Sequence, residues 1–158
     1  MTTAATAAPD AVTLLPTRVA LLDRLAEATP ASGEVPTALL LIGLLHRDTR
    51  WSMHGSQLDR VAGALSADVR ADDWLARSGP TEFAVLLGSD SADAETAAAR
   101  LLSVVARLGV PGLSACAGIA GLSPDASPTE VHRRATLCLT AARAVGSGRV
   151  IRYRGGRG

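Results

Sequence analysis

Hydrophobic positions along the chain switch between helical and strand periods, and the switches predict the elements. Thr17 to Ala28 places Val19, Leu21, Leu22, Leu25 and Ala26 at helical spacing, with Thr17 suited to cap the helix after Pro16. Pro30 to Pro36 reads as a linker from its Pro, Ser and Gly content. The continuous apolar run Ala38 to Leu45 predicts a central strand covered on both faces. A second helix opens near Ser56, with Leu58, Val61, Ala62 and Leu65 on one side. Trp74 to Ser78 and Glu82 to Leu87 flank Gly79-Pro80 as the strands of a hairpin, closed off by the loop Gly88 to Ser91.

Ala92 to Leu108 predicts a long helix striped by Ala98, Leu101, Leu102, Val105 and Leu108, which Gly109 and Pro111 stop. Leu113 to Ala120 is a strand of small residues, suited to burial between layers. Ser127-Pro128-Thr129-Glu130 opens the last helix in a capping-box arrangement, and Gly146-Ser147-Gly148 ends it. Arg149 to Tyr153 returns as a short final strand. The expected order is α-β-α-β-β-α-β-α-β, an α/β sandwich with an antiparallel hairpin at its centre.

Composition narrows the function classes. A chain of 158 residues, 47% apolar, is one domain long and can build a core. We expect a lead-in over 1–9, the domain over 10–153 and a flexible tail over 154–158. A net charge of +1 gives no reason to expect nucleic acid or an acidic membrane surface as partner. All 16 basic residues are arginine, so an anionic ligand must be held by guanidinium forks. Cys116 and Cys138 stand far apart in apolar surroundings and read as buried small hydrophobes. The Thr/Ala-rich start carries no basic region and makes a poor signal peptide. No apolar run reaches membrane-spanning length, so a cytoplasmic protein is expected.

The motifs sharpen this picture. Gly79-Pro80-Thr81-Glu82-Phe83 follows Arg70-Ala71-Asp72-Asp73, with five residues between Asp73 and Gly79. Three further segments stand in order around them: Asp10 to Arg18, Leu113 to Ala120, and Ala135 to Val150. Together they resemble the GGDEF domains of bacterial diguanylate cyclases, across nearly the whole chain. That resemblance implies a nucleotidyl-cyclase palm-like three-layer sandwich, with a central, mostly antiparallel sheet of about five strands flanked by helices.

The same resemblance implies that the catalytic chemistry has been removed. Family cyclases condense two GTP molecules with two divalent cations, which require carboxylate ligands. The first metal-binding aspartate falls at Gly43 and the second metal ligand at Thr81, leaving Glu82 as the remaining acid. The segment from His46 to His54 is shorter than the family's guanine-reading stretch, and the chain contains no asparagine. Arg143 matches a phosphate-binding lysine and retains the means to grip a phosphate, while Ser147 replaces its arginine companion beside Arg149. Pro80 stiffens the turn where the family has a second glycine after Gly79. The expectation is a protein that is no enzyme and needs no Mg²⁺.

Arg70 and Asp73 match the family's Arg-x-x-Asp inhibitory site for cyclic di-GMP, and Arg100 matches a secondary arginine. A guanidinium can grip guanine edges and phosphate, while a carboxylate accepts from guanine N–H groups. A cyclic di-GMP receptor is therefore expected, with a protein partner or a second copy of the chain as its output. One alternative is a structural interaction or dimerisation module that binds no nucleotide. Another is a GTP-binding or weakly active cyclase, dependent on Mg²⁺, Glu82 and Arg143. At single residues, Arg70 and Asp73 can be read as a surface ion pair, and Glu82 as a solvated or helix-capping carboxylate. His46, His54 and His132 lack metal-ligand spacing, Trp51 and Trp74 read as packing residues, and Arg133-Arg134 as a solvated helix face.

Overall fold

The structure, a computed structural model, describes residues 8–28, 38–46, 55–88 and 91–154. The expected linker, Trp51, His54 and the tail beyond Arg154 lie outside the described residues. Four helices and five strands follow in the order α1 (Arg18–Ala28), β1 (Ala38–His46), α2 (Gly55–Asp68), β2 (Trp74–Gly79), β3 (Glu82–Leu87), α3 (Ser91–Arg107), β4 (Leu113–Gly121), α4 (Pro128–Val145) and β5 (Val150–Arg152). The strands form one sheet ordered β2-β3-β1-β4-β5. All its pairings are antiparallel except β4 with β5, so the sheet is mixed.

Burial explains this order. β1 has no polar residue before His46, and Ala38 to Ile42 are fully buried, so both faces need covering. Leu40, Ile42 and Leu44 pack with Leu58, Val61 and Leu65 of α2 and Leu101 and Val105 of α3. Leu39 and Leu41 pack on the other face with Leu21 and Leu25 of α1 and Val131, Ala135 and Leu139 of α4. Side chains of one strand thus seed two cores, because alternate residues point to opposite faces. β1 takes the centre, as its continuous apolar run predicts, whereas the hairpin expected at the centre is displaced and leaves β2 at the sheet edge, since the hairpin strands have less uniformly apolar sequences.

Two local devices set the helices. Gly118 lets the α4 backbone rest on β4; a Cβ there would stand 2.6 Å from the Ala135 carbonyl oxygen. At the start of α4, Ser127 Oγ accepts from the Glu130 N–H at 3.0 Å. The Glu130 carboxylate turns to Arg133 and Arg134 at 2.7 and 2.9 Å, so that arginine pair is less free than a solvated face implies. Both cysteines are free and buried, as their surroundings in sequence suggest. Trp74 packs in the second core under Arg24, whose guanidinium lies 5.6 Å from the ring centroid.

The N-terminal segment folds into a wide turn before α1. The Asp10 N–H donates to the Leu15 carbonyl and the Leu14 N–H to the Asp10 carbonyl, both at 2.8 Å. The turn holds Leu14 at φ 63°, in the left-handed region, with its side chain 75% exposed. A Cβ in that region costs roughly 1–2 kcal/mol, and no apolar burial offsets it here. Leu14→Gly should therefore stabilise the protein, after allowance for the looser unfolded chain, by about 0.5–1 kcal/mol. Thermal melts check this: a rise of a few degrees is expected, whereas a fall would mean that Leu14 makes a compensating contact.

Candidate functional site

The β2–β3 ladder carries candidate groups at both ends. At one end the turn Pro80-Thr81 joins Gly79 to Glu82, and Glu82 pairs across the sheet with Gly43 of β1. Glu82 is neither freely solvated nor a helix cap. Its Oε2 accepts from the buried Ser78 hydroxyl at 2.7 Å, two residues before the turn begins.

Arg143 of α4 fills the space beside Gly43. A Cβ on Gly43 would stand 2.7 Å from Arg143 Nη2 and 2.8 Å from its Cζ. Its Nη1 donates to the Leu44 carbonyl at 2.9 Å and its Nη2 to the Thr81 carbonyl at 3.4 Å. The guanidinium thus ties the end of β1 to the hairpin turn, and it is committed to backbone rather than presented to a phosphate. A divalent cation does not fit this arrangement: Gly43 and Thr81 supply no carboxylate, and a positive charge already stands there. Among the described residues, no group of three or more His, Cys, Asp or Glu side chains could hold a metal ion.

A second clasp braces the turn from below. Arg77 Nη1 reaches both Asp10 oxygens at 2.9 and 3.0 Å, its Nε donates to the Gly79 carbonyl, and its Nη2 to the Pro80 carbonyl. The Arg77 N–H also donates to the Pro16 carbonyl at 2.8 Å, which covers the edge of β2. Burial by itself would raise the Asp10 carboxyl. The Thr13 backbone N–H and hydroxyl, together with Arg77, outweigh it and hold the pKa at about 2.

The opposite end of the ladder opens into a cleft of about 160 Å³, lined by Arg70, Asp72, Asp73, Gly88, Thr96 and Arg100 among others. Three separate segments meet there: the turn after α2, the end of β3, and α3. Asp73 shapes the turn. Its Oδ2 accepts from the Arg70 N–H and its Oδ1 from the Gly88 N–H, both at 3.0 Å, while its own N–H returns to the Arg70 carbonyl. Arg70 and Asp73 are therefore joined through backbone N–H groups and not as a side-chain ion pair. The Arg70 guanidinium is left without a partner among the described residues.

Arg100 is half committed. Its Nε donates to Asp68 Oδ2 at 2.7 Å, and its Nη2 is buried with no hydrogen-bond partner among the described residues. A buried donor of that kind costs about 1–3 kcal/mol until an acceptor meets it. All three residues expected at a ligand site thus line one cleft. Asp72 and Thr96 line it with them, and Asp68 is tied to it through Arg100; sequence reasoning did not single these out as site residues. Asp68 and Thr96 carried a signal: each stands at helical spacing from a site residue or at the end of the preceding helix.

Comparison with known proteins gives the chain its context. A family model described as "Diguanylate cyclase, GGDEF domain" matches residues 7–149. The fold is similar to the GGDEF domain of DgcB from Caulobacter crescentus, solved in complex with c-di-GMP, at 21% identity and a TM-score of 0.80, covering 98% of both chains. It is similar to the FimX GGDEF domain from Pseudomonas aeruginosa, at 25% identity and a TM-score of 0.74, covering 92% of this chain and 99% of that one. Diguanylate cyclase SiaD from Pseudomonas aeruginosa, solved with its activator SiaC, matches at 23% identity and a TM-score of 0.75 over 91% of this chain. The chain spans 61% of the SiaD chain. No curated protein sequence matches it significantly.

Two outcomes follow from the clasps. Arg143→Ala removes the guanidinium from the Leu44 carbonyl and leaves the Thr81 carbonyl with the Leu44 N–H alone, and should lower stability by about 1–3 kcal/mol, with Arg143→Lys recovering only part. Denaturant titration reads this directly. For Asp10, the folded pKa of about 2 lies below the ordinary 3.8, so its contribution is present above pH 4 and is lost as pH falls through 2. Asp10→Asn should therefore cost about 2 kcal/mol at pH 7, and the gap to the parent protein should shrink steadily below pH 4.

Proposed function

The chain belongs to the diguanylate cyclase GGDEF-domain family, and from that premise we propose a catalytically inactive member that senses cyclic di-GMP through the Arg70–Asp73–Arg100 cleft. One observation carries the reading. Arg70 and Arg100, separated by 30 positions in sequence, place guanidinium donors without a partner among the described residues in one cleft beside the Asp73 turn. Unpartnered forks in a concave site suit a ligand with phosphates and guanine acceptor edges.

The other end of the ladder supports inactivity. Two-metal phosphoryl transfer needs acids that bring both cations to the reacting phosphate. Gly43 and Thr81 offer none, and Arg143 stands in the remaining space. Glu82 alone cannot hold two cations, and it is already engaged by Ser78.

A receptor needs an output, and a protein partner or a second copy of the chain would supply it. SiaD has been solved with a protein activator, which shows that a family member can engage a protein. An intercalated ligand dimer could also bridge two copies of the cleft. No described helix is long and apolar enough to cross a membrane, and the near-neutral charge gives no attraction to nucleic acid.

Calorimetric titration with cyclic di-GMP tests the reading. The parent protein should bind at micromolar affinity or tighter, about −8 kcal/mol or better. Arg70→Ala and Arg100→Ala should each weaken binding by about tenfold or more. Asp73→Ala is a poorer probe, since it frees two backbone N–H groups and lowers stability as well. GTP with Mg²⁺ should yield no cyclic di-GMP. Absence of binding at saturating ligand would sink the receptor and leave an interaction module.

A further inference from the structure

Resting on the receptor reading above, we infer that Asp72, and not Asp73, is the carboxylate that reads the guanine base in this cleft. Among the described residues, three acids stand by the two arginines, and they differ in what they already hold. Asp68 is bound to Arg100 Nε. Asp73 spends one lone pair of each oxygen on the backbone N–H groups of Arg70 and Gly88. Its position is fixed, and its work is to close the turn between α2 and β2.

Asp72 holds nothing. It lines the cleft, is exposed, and has no hydrogen bond or ion pair among the described residues. Its carboxylate lies over Gly88: a Cβ there would stand 2.6 Å from Asp72 Oδ2 and 3.0 Å from its Cγ. The missing side chain at position 88 is what gives the carboxylate its place in the cleft.

The Arg70 guanidinium is equally unengaged, two residues earlier on the same turn. One vacant donor fork and one vacant two-oxygen acceptor therefore line the same small space without neutralising each other. Guanine matches that pair. Its N7 and O6 accept from an arginine fork, while its N1–H and N2 amine donate side by side to a carboxylate. Adenine fails on both counts: it presents a donor beside N7, and an acceptor at N1 that a carboxylate repels. With three acids against two guanidiniums, the ligand's contribution on the Asp72 side has to be donors, which phosphates lack.

The test compares cyclic di-GMP with cyclic di-IMP, whose hypoxanthine bases lack the 2-amino group, on the parent protein, Asp72→Ala and Asp72→Asn. The parent should prefer cyclic di-GMP by about tenfold. Asp72→Ala should weaken cyclic di-GMP by about tenfold or more, weaken cyclic di-IMP less because its bases offer the carboxylate only N1–H, so that the preference between the two shrinks, and leave the melting temperature where it was. Asp72→Asn, which keeps the size and one acceptor, should fall between. If both variants bind the two ligands with the parent's affinities and ratio, or bind both more tightly, the assignment is wrong and the carboxylate is a bystander or a repulsive rim. Loss of the preference in Asp73→Asn at unchanged melting temperature would return the role to Asp73. A parent protein that binds neither ligand overturns the receptor reading itself, an outcome separate from failure of the variants.

Discussion

Double-sided burial of β1 governs the architecture. A strand without a polar residue before His46 cannot lie at a wet surface, so it draws α2 and α3 to one face and α1 and α4 to the other. Once β1 is central, its neighbours are fixed by pairing: β3 on one side with Gly43 opposite Glu82, and β4 on the other with Gly43 opposite Cys116. The same registers set the two ends of the β2–β3 ladder apart by five residues of strand, about 17 Å. One end holds the hairpin turn and the other the cleft.

The two ends make opposite use of the same side chain. With lysine absent, every buried cationic task falls to arginine, whose planar fork can satisfy several acceptors at once. Arg77 ties two turn carbonyls to Asp10, and Arg143 ties Leu44 to Thr81 across the strand end. There the guanidinium forks are spent on holding backbone. In the cleft, the Arg70 guanidinium has no partner among the described residues and that of Arg100 is held there only at Nε. Committed forks stiffen the turn, while those of the cleft keep donors open.

A shared backbone links these regions. Asp73 anchors the start of β2 and the end of β3, while Arg77 anchors the other end of β2. A ligand that pulled on the Asp72-Asp73 turn would load the same hairpin whose far end is clasped by Asp10 and Arg143. The rigidity of that hairpin, built from paired strands, makes it a suitable element for carrying a change from cleft to surface.

Local pattern determined much of this protein by itself. The period of the apolar residues located the start of every helix and strand to within a residue or two, and the spacing from Arg70 through Asp73 to Gly79 marked both ends of the ladder. Cys116 and Cys138 were legible as core because small apolar neighbours surround them. The apolar run of β1 also marked it as a central strand covered on both faces; what the sequence misplaced was the hairpin, which looked central although its β2 strand lies at the sheet edge. Nor could sequence tell an occupied carboxylate from a vacant one. Asp72 and Asp73 are adjacent and chemically identical in sequence. Their roles separate only when the fold brings the Gly88 N–H to one and leaves space above Gly88 for the other. Arg143 likewise looked like a phosphate grip until the fold laid it against Gly43. Such assignments depend on which distant backbone atoms arrive within hydrogen-bond reach, and that is decided by tertiary packing.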